Sequence, residues 1–440
     1  MKVIIKLFCF VPLVLFATLG YAFSGGTGTK ADPYLIRNCP ELQNIINFPT
    51  ADFLLIDYVN CNGFDYGDGK GFMPLGNLTS PFTGKFDGNN FKISYIKINR
   101  NLQDNVGIFG VTLGAEITNV NFDNVTIIGK SYVGTLVGLA KVGTKISNVY
   151  AAASQIDTVA SQVGGLVGRS EGNASVKNTI QNASVDVIVK ASLENSSYVG
   201  GMLGTVTYSD VSNSHALGAV SGNYAVGGLV GRLEATTTLL NTNAQGLVNG
   251  ASNVGGLVGS TSGSSHITNS YATGNVVVTY GDAGGLLGAD LSGIQIDRCY
   301  ATGNVESLST STSSDTGGLV GNFVGASGVI KNSYATGALT NNYGTTGGLV
   351  GWLSKGSVSN SYSVGRVSGT NSWAIGGLIG VHRDGGSVVS SYWDKTTSGQ
   401  NGSANGVGKT TAEMHTQSTY VGWDFNSIWY WSQGQYPTLR

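Results

Sequence analysis

Between residues 107 and 392 the apolar positions fall in short clusters separated by Gly, Asn and Ser, with none of the three-and-four spacing of an amphipathic helix. The clusters repeat. A pentad Gly-Gly-Leu-Val-Gly, or a close variant, ends at Gly110, Gly138, Gly168, Gly204, Gly231, Gly259, Gly288, Gly321, Gly351 and Gly380, with spacings of 28, 30, 36, 27, 28, 29, 33, 30 and 29 residues. A second phrase keeps phase with it, reading Ile267-Thr268-Asn269-Ser270-Tyr271-Ala272-Thr273-Gly274 in its fullest form. It returns as Ile146-Ser147-Asn148-Val149-Tyr150, Ile330-Lys331-Asn332-Ser333-Tyr334 and Val358-Ser359-Asn360-Ser361-Tyr362.

Each unit therefore predicts two or three short strands rich in Val, Ile, Thr and Tyr. One such unit cannot bury its apolar face, but stacked units can, with backbones pairing about 4.8 Å apart. The predicted fold is all-β: a parallel β-helix or β-solenoid, right-handed, of about ten coils of about 30 residues, closed by N- and C-terminal caps. Its stacked core is expected at Leu136, Leu166, Leu203, Leu229, Leu257, Leu286, Leu319, Leu349 and Leu378. Pentad glycines would serve corners, where φ is positive or backbones approach closely.

Asn119, Asn148, Asn178, Asn213, Asn241, Asn269, Asn332 and Asn360 hold the third place of the second phrase and would align as an amide ladder; a polar binding row is the alternative. Tyrosines at 150, 271, 300, 334, 362 and 392 make a second row, read as packing, with an aromatic strip for glycans as the alternative.

Composition sharpens this reading. Glycine makes up 67 of 440 residues, yet no strict triplet occurs, which excludes collagen. No proline falls between Pro81 and Pro437, as continuous strand pairing demands, because proline cannot donate to a ladder. With 24 basic and 25 acidic residues there is no basic stripe for phosphates, so nucleic acid is excluded as a partner.

The ends differ from the repeat. Lys2 and Lys6, the apolar run Leu7 to Leu19 and Gly20-Tyr21-Ala22 read as a signal peptide, residues 1–22, that is cleaved after Ala22 and takes Cys9 with it. The expected location is therefore exported: extracellular, cell-surface or periplasmic. No later segment is long and apolar enough to span a membrane. Residues 23–106 form the N-terminal cap region, with a short helix over Leu42 to Ile46 and one disulfide between Cys39 and Cys61, as an oxidising compartment allows. Residues 107–392 are the solenoid. Residues 393–440, with four of the six tryptophans, read as an aromatic plug over the last coil or, alternatively, as a carbohydrate-binding tip. Cys299 reads as a buried thiol.

These phrases resemble bacterial GLUG-motif proteins, as do the opening Gly-Gly-Thr-Gly-Thr, the Phe-Thr-Gly-Lys-Phe-Asp-Gly-Asn stretch and the ending Tyr-Trp-Asp. The resemblance implies an adhesin-like surface or secreted protein. The motif also occurs in immunoglobulin A peptidases, whose catalysis belongs to a separate zinc domain. That domain needs His-Glu-x-x-His, and His215, His266, His382 and His415 have no such spacing.

Other chemistry is thin. Gly168-Arg169-Ser170-Glu171-Gly172 spells a nucleophile elbow, but its first glycine ends a pentad. Gly406-Val407-Gly408-Lys409-Thr410 has Ser403 where a phosphate loop needs glycine. Asp57, Asp65 and Asp68 lie in one glycine-rich loop, read as a solvated turn, with calcium as the alternative. No cofactor and no catalysis are expected. The reading is a non-catalytic exported scaffold binding a glycan, a host surface or an envelope protein; the alternative is a carbohydrate-active lyase or hydrolase.

Overall fold

In the computed structural model the chain is described at residues 22–158, 161–192 and 194–440. The expected leader, apart from Ala22, lies outside them. Short strands stack in register along one axis. Phe53 stands over Tyr34, Phe86 over Phe53 and Ile117 over Phe86, and the same column continues through Ile146, Ile180, Val211, Leu239, Ile267, Ile296, Ile330 and Val358 to Val388. Every pairing in this column is parallel, and the result is a β-solenoid of about twelve turns. At about 4.8 Å per turn the rod is about 60 Å long.

Ten strands, from Phe109–Leu113 to Ile379–His382, each begin within a pentad and form one sheet; most of the others join a second sheet around the remaining sides. Residues 23–106 are part of the same ladder, supplying strands such as Tyr34–Ile36, Phe53–Leu55 and Lys85–Asp87.

The pentad row stacks with each amide donating to the carbonyl of the next coil at 2.8 to 3.0 Å, in the order Leu136, Leu166, Met202, Leu229, Leu257, Leu286, Leu319, Leu349, Leu378. All nine side chains are fully buried, each contributing about 2 kcal/mol of apolar transfer. Leu203 is the exception to the expected set. It pairs with Val167 and Val230, one place further along, and Met202 fills the leucine position. An unbranched thioether adapts to a slot shaped for leucine.

The pentad glycines do stand at corners, where the chain bends from one sheet into the other. No pentad glycine has positive φ; those glycines supply room for close backbone approach instead. The left-handed corner belongs to asparagine, which tolerates that region best among side-chain-bearing residues. Asn119, Asn148, Asn182, Asn213, Asn241, Asn269, Asn332 and Asn360 all have φ between 46° and 55°. Asn148 donates to Asn119, Asn182 to Asn148, Asn213 to Asn182 and Asn241 to Asn213, at 3.0 to 3.4 Å, while Asn119 caps the row by donating to Asp87. Asn178 does not belong to it. The turn at Asn173, which caps the amides of Ser175 and Val176, belongs to the longest repeat and displaces the second phrase, so that Ile180 and Asn182 occupy the expected places. Asn178 is buried instead, donating to Ala140 and Ser170. One residue past the corner a buried hydroxyl column runs through Ser270, Ser333, Ser361 and Ser391; Cys299 takes its place in it, and burial pushes its thiol up to about 12.

At the start of the rod, helix α1 (Cys39–Asn44) is capped by the Asn38 side chain and buries Leu42. A disulfide joins Cys39 to Cys61 across 22 residues. A loop of that length corresponds to about 3 kcal/mol of closure entropy. Replacing both cysteines by alanine should destabilise the first coils by that order, seen as faster amide exchange of Phe53 and Leu55 than of Ile267.

Candidate binding surface

The second phrase alternates, so that Ala272 points inward while Tyr271 faces out. Stacking coils in register turns that outward position into a column: Tyr150, Ser184, His215, Asn243, Tyr271, Tyr300, Tyr334, Tyr362, Tyr392. Four tyrosines form a continuous stack, with ring centroids 4.8, 5.0 and 5.0 Å apart from Tyr271 to Tyr362 and planes within 7° of parallel. Tyr150 occupies the same column but stands apart, beyond Ser184, His215 and Asn243. His215 and Asn243 hydrogen bond to each other through Nδ1 and Nδ2.

The C-terminal segment decides how much of this stack is open. Trp393 turns inward and joins the core, its indole N–H donating to Gln400, and Val407–Lys409 adds a last rung over Tyr392–Asp394. From there the chain folds back along the outside of the rod. Helix α2 (Thr411–Met414), held by a Thr410/Glu413 capping box, leads to Trp423 and to the antiparallel pair Trp429–Tyr430 and Thr438–Leu439.

Met414, Tyr420, Trp423 and Trp429 bury Tyr334, Tyr362 and Tyr392 in a second apolar cluster separate from the core. Trp423 stacks on Trp429 at 4.3 Å and donates to Ser390, Tyr362 donates to the Pro437 carbonyl, and Tyr436 donates to Asp394. Trp423 and Trp429 therefore cover the side of the rod rather than its end. Burial drives the Tyr362 hydroxyl well above its ordinary range. Tyr300 and Tyr271 emerge half-buried from beneath this cover and form the open end of the stack.

The residues singled out for catalysis or metal go elsewhere. Asp65 accepts the amides of Gly67, Gly69 and Gly71, which hold its carboxyl below the usual range. Asp68 is gripped at both oxygens by the buried Arg100 guanidinium. Both carboxylates organise the loop. Asp57 is spent on the amide of Tyr58. Ser170 is fully buried and shares its hydroxyl with Ser209 and Asn178, and Lys409 pairs with Glu413. Among the described residues no three His, Cys, Asp or Glu side chains converge for a metal, and no helix is long and apolar enough to cross a membrane.

One more outer feature escaped the sequence reading. Two places before each pentad's first glycine, and again just after its last, residues from neighbouring coils meet along an outer corner. There Arg169 donates to Gln162 and pairs with Glu171 and Glu234, while Arg232 lies 4.9 Å over the Tyr198 ring and donates to its hydroxyl. Only the register between coils, set by loops of unequal length, brings these positions together.

The sequence model of the GLUG motif matches residues 250–277. A protein of Evansella cellulosilytica named "Putative Gly-rich membrane protein" is 33% identical over 97% of this chain, and the chain spans about half (47%) of its length. Halomucin of Haloquadratum walsbyi is 37% identical over 35% of the chain, which covers 2% of that protein. An immunoglobulin A1 protease of Streptococcus pneumoniae is 26% identical over 44% of the chain, covering 10% of its own length. The chain carries the GLUG motif at residues 250–277, and the pentad within that stretch recurs in phase along the rod.

Proposed function

We propose that the protein is an exported, non-catalytic surface scaffold that binds a glycan through the outer faces of its rod. The observation that carries this reading is the tyrosine stack, whose buried end is anchored by the C-terminal segment and whose open end presents Tyr271 and Tyr300. Flat aromatic faces held by their neighbours offer apolar contact area at little cost in ordering. The relatives named as a membrane protein and as halomucin support an envelope or extracellular setting. The likeness to an immunoglobulin A1 protease covers a tenth of that protein's length.

Secreted full-length protein is expected to bind polysaccharides on a glycan array without cleaving them. Tyr271→Ala with Tyr300→Ala should weaken that binding at least about tenfold while leaving the thermal transition nearly unchanged. Turnover of any retained polysaccharide, or binding indifferent to the double substitution, would count against the proposal.

A further inference from the structure

A second recess, distant in sequence from the tyrosine stack, lies on the outer corner near the start of the rod. It is a cavity of about 380 Å³, with Leu78, Tyr132 and Leu139 supplying apolar wall and Asp104, Arg169 and Glu171 supplying polar groups. That volume falls in the range of small-molecule sites, and an apolar wall with a few convergent polar groups is their usual make-up. Leu139 is only 6% exposed although its side chain lies outside the core cluster.

Its charges are already balanced. Arg169 pairs with Glu171 at 3.6 Å and with Glu234 at 3.4 Å, and Asp104 pairs with Lys130 at 3.7 Å. An anionic or cationic occupant would have to break one of these pairs, whereas a neutral one needs only hydrogen bonds. The polar groups remain open enough to give them: Asp104 and Glu171 keep 44% and 42% of their side chains exposed. The Asn105 side chain also lines the recess, and its carboxamide oxygen is buried with no hydrogen-bond partner in the protein. A donor brought by the occupant, met by a turn of the amide, satisfies that orphan acceptor, whose unmet desolvation is otherwise a standing cost.

From this geometry we infer that the recess binds one unit of a neutral saccharide, its apolar face against the Tyr132 and Leu139 side and its hydroxyls donating to Asp104, Glu171 and Asn105. The inference rests on the glycan-binding reading but places a separate, end-on site away from the tyrosine stack. A recess that takes one sugar unit complements an open strip that takes several.

The test is saturation-transfer NMR of the full chain with methyl glycosides of neutral hexoses and of N-acetylhexosamines, with a uronate glycoside as the charged comparison. Tyr132 has φ of 52°, so Tyr132→Asn removes the ring while keeping a residue suited to that backbone. Glu171→Gln removes a half-exposed carboxylate and leaves the core untouched. A neutral glycoside should bind, with affinity about tenfold weaker in Tyr132→Asn and several-fold weaker in Glu171→Gln, and unchanged in Tyr271→Ala. Binding lost in Tyr271→Ala but kept in both recess variants would overturn the site while leaving the glycan reading intact. Preference for the uronate would overturn the ligand class. Saturation transfer to none of the glycosides, with polysaccharide still bound on the array, would overturn the recess alone.

Discussion

Gly255→Ala is expected to destabilise the middle of the rod by at least about 3 kcal/mol, more than the loss of any single leucine contact. A methyl group at this position would sit 1.9 Å from the carbonyl oxygen of Val258 in its own pentad and 2.7 Å from the amide of Gly288 in the next coil. Both obstacles are backbone, so no side chain can swing aside. The neighbouring Gly256 meets the same condition, 2.0 Å from the carbonyl of Gly285. Since each coil contacts mainly its neighbours, the damage should uncouple the two halves of the rod rather than unfold them together. Denaturant unfolding followed by amide exchange should split into two transitions, with protection lost first around Val254, Leu257 and Leu286. Gly402→Ala, where an added methyl has nothing within 4 Å, is the control and should behave as the parent. A single parental transition in Gly255→Ala would show that the pentad glycines are not held by space.

Raising the pH from about 5 to about 8 is expected to remove stability of the order of 3 kcal/mol, through two buried acids on the same outer corner. Asp282 accepts the amide of Asp315 and the amide group of Asn322, and Asp315 accepts the hydroxyl of Thr345. Burial pushes Asp282 up to about 6; burial, and then the charge of Asp282, push Asp315 up to about 7. Both values lie above the 3.8 of an unfolded aspartate. The folded state therefore holds protons that the unfolded chain has released, and stability is fully present below about pH 4 and lost as pH rises through 6 to 7. Asp65, Asp394 and Asp424 are shifted downward and act in the opposite sense, but only in more acidic solution. Asp315→Asn keeps an acceptor for Thr345 without the charge. It should flatten the slope between about pH 5 and 8 and raise stability at the upper end; equal slopes for parent and variant in urea titrations would refute the assignment.

Much of the architecture was legible from residue order because a solenoid is nearly one-dimensional. A pentad and a second phrase that recur at nearly constant distance leave little freedom in which residue stands on which, and Ile146, Ile267, Ile330 and Val358 could be placed in one column before any coordinate was known. The same logic placed Tyr271, Tyr300, Tyr334 and Tyr362 in a row. It failed where a loop altered the count. Asn178 and Asn182 both satisfy a rule of asparagine two places after an apolar residue, and only pairing with the preceding coil selects Asn182 for the corner. Met202 and Leu203 are likewise both apolar, and hydrogen bonding to Leu166 and Leu229 tells them apart.

Local chemistry and repetition alone thus determined the stacked parallel strands, the buried pentad row and the partnership of Cys39 with Cys61, whereas the left-handed conformation of the corner asparagines emerged only from the fold. Tertiary structure decided what those elements expose. Whether the tryptophans plug the end or cover the side, which tyrosines stay open, and which charges meet in the recess at Arg169 depend on contacts between coils and on a tail that folds back over the rod. Such contacts carry no periodic signal, because their energy comes from side chains brought together by register and chain reversal rather than by neighbourhood in the sequence.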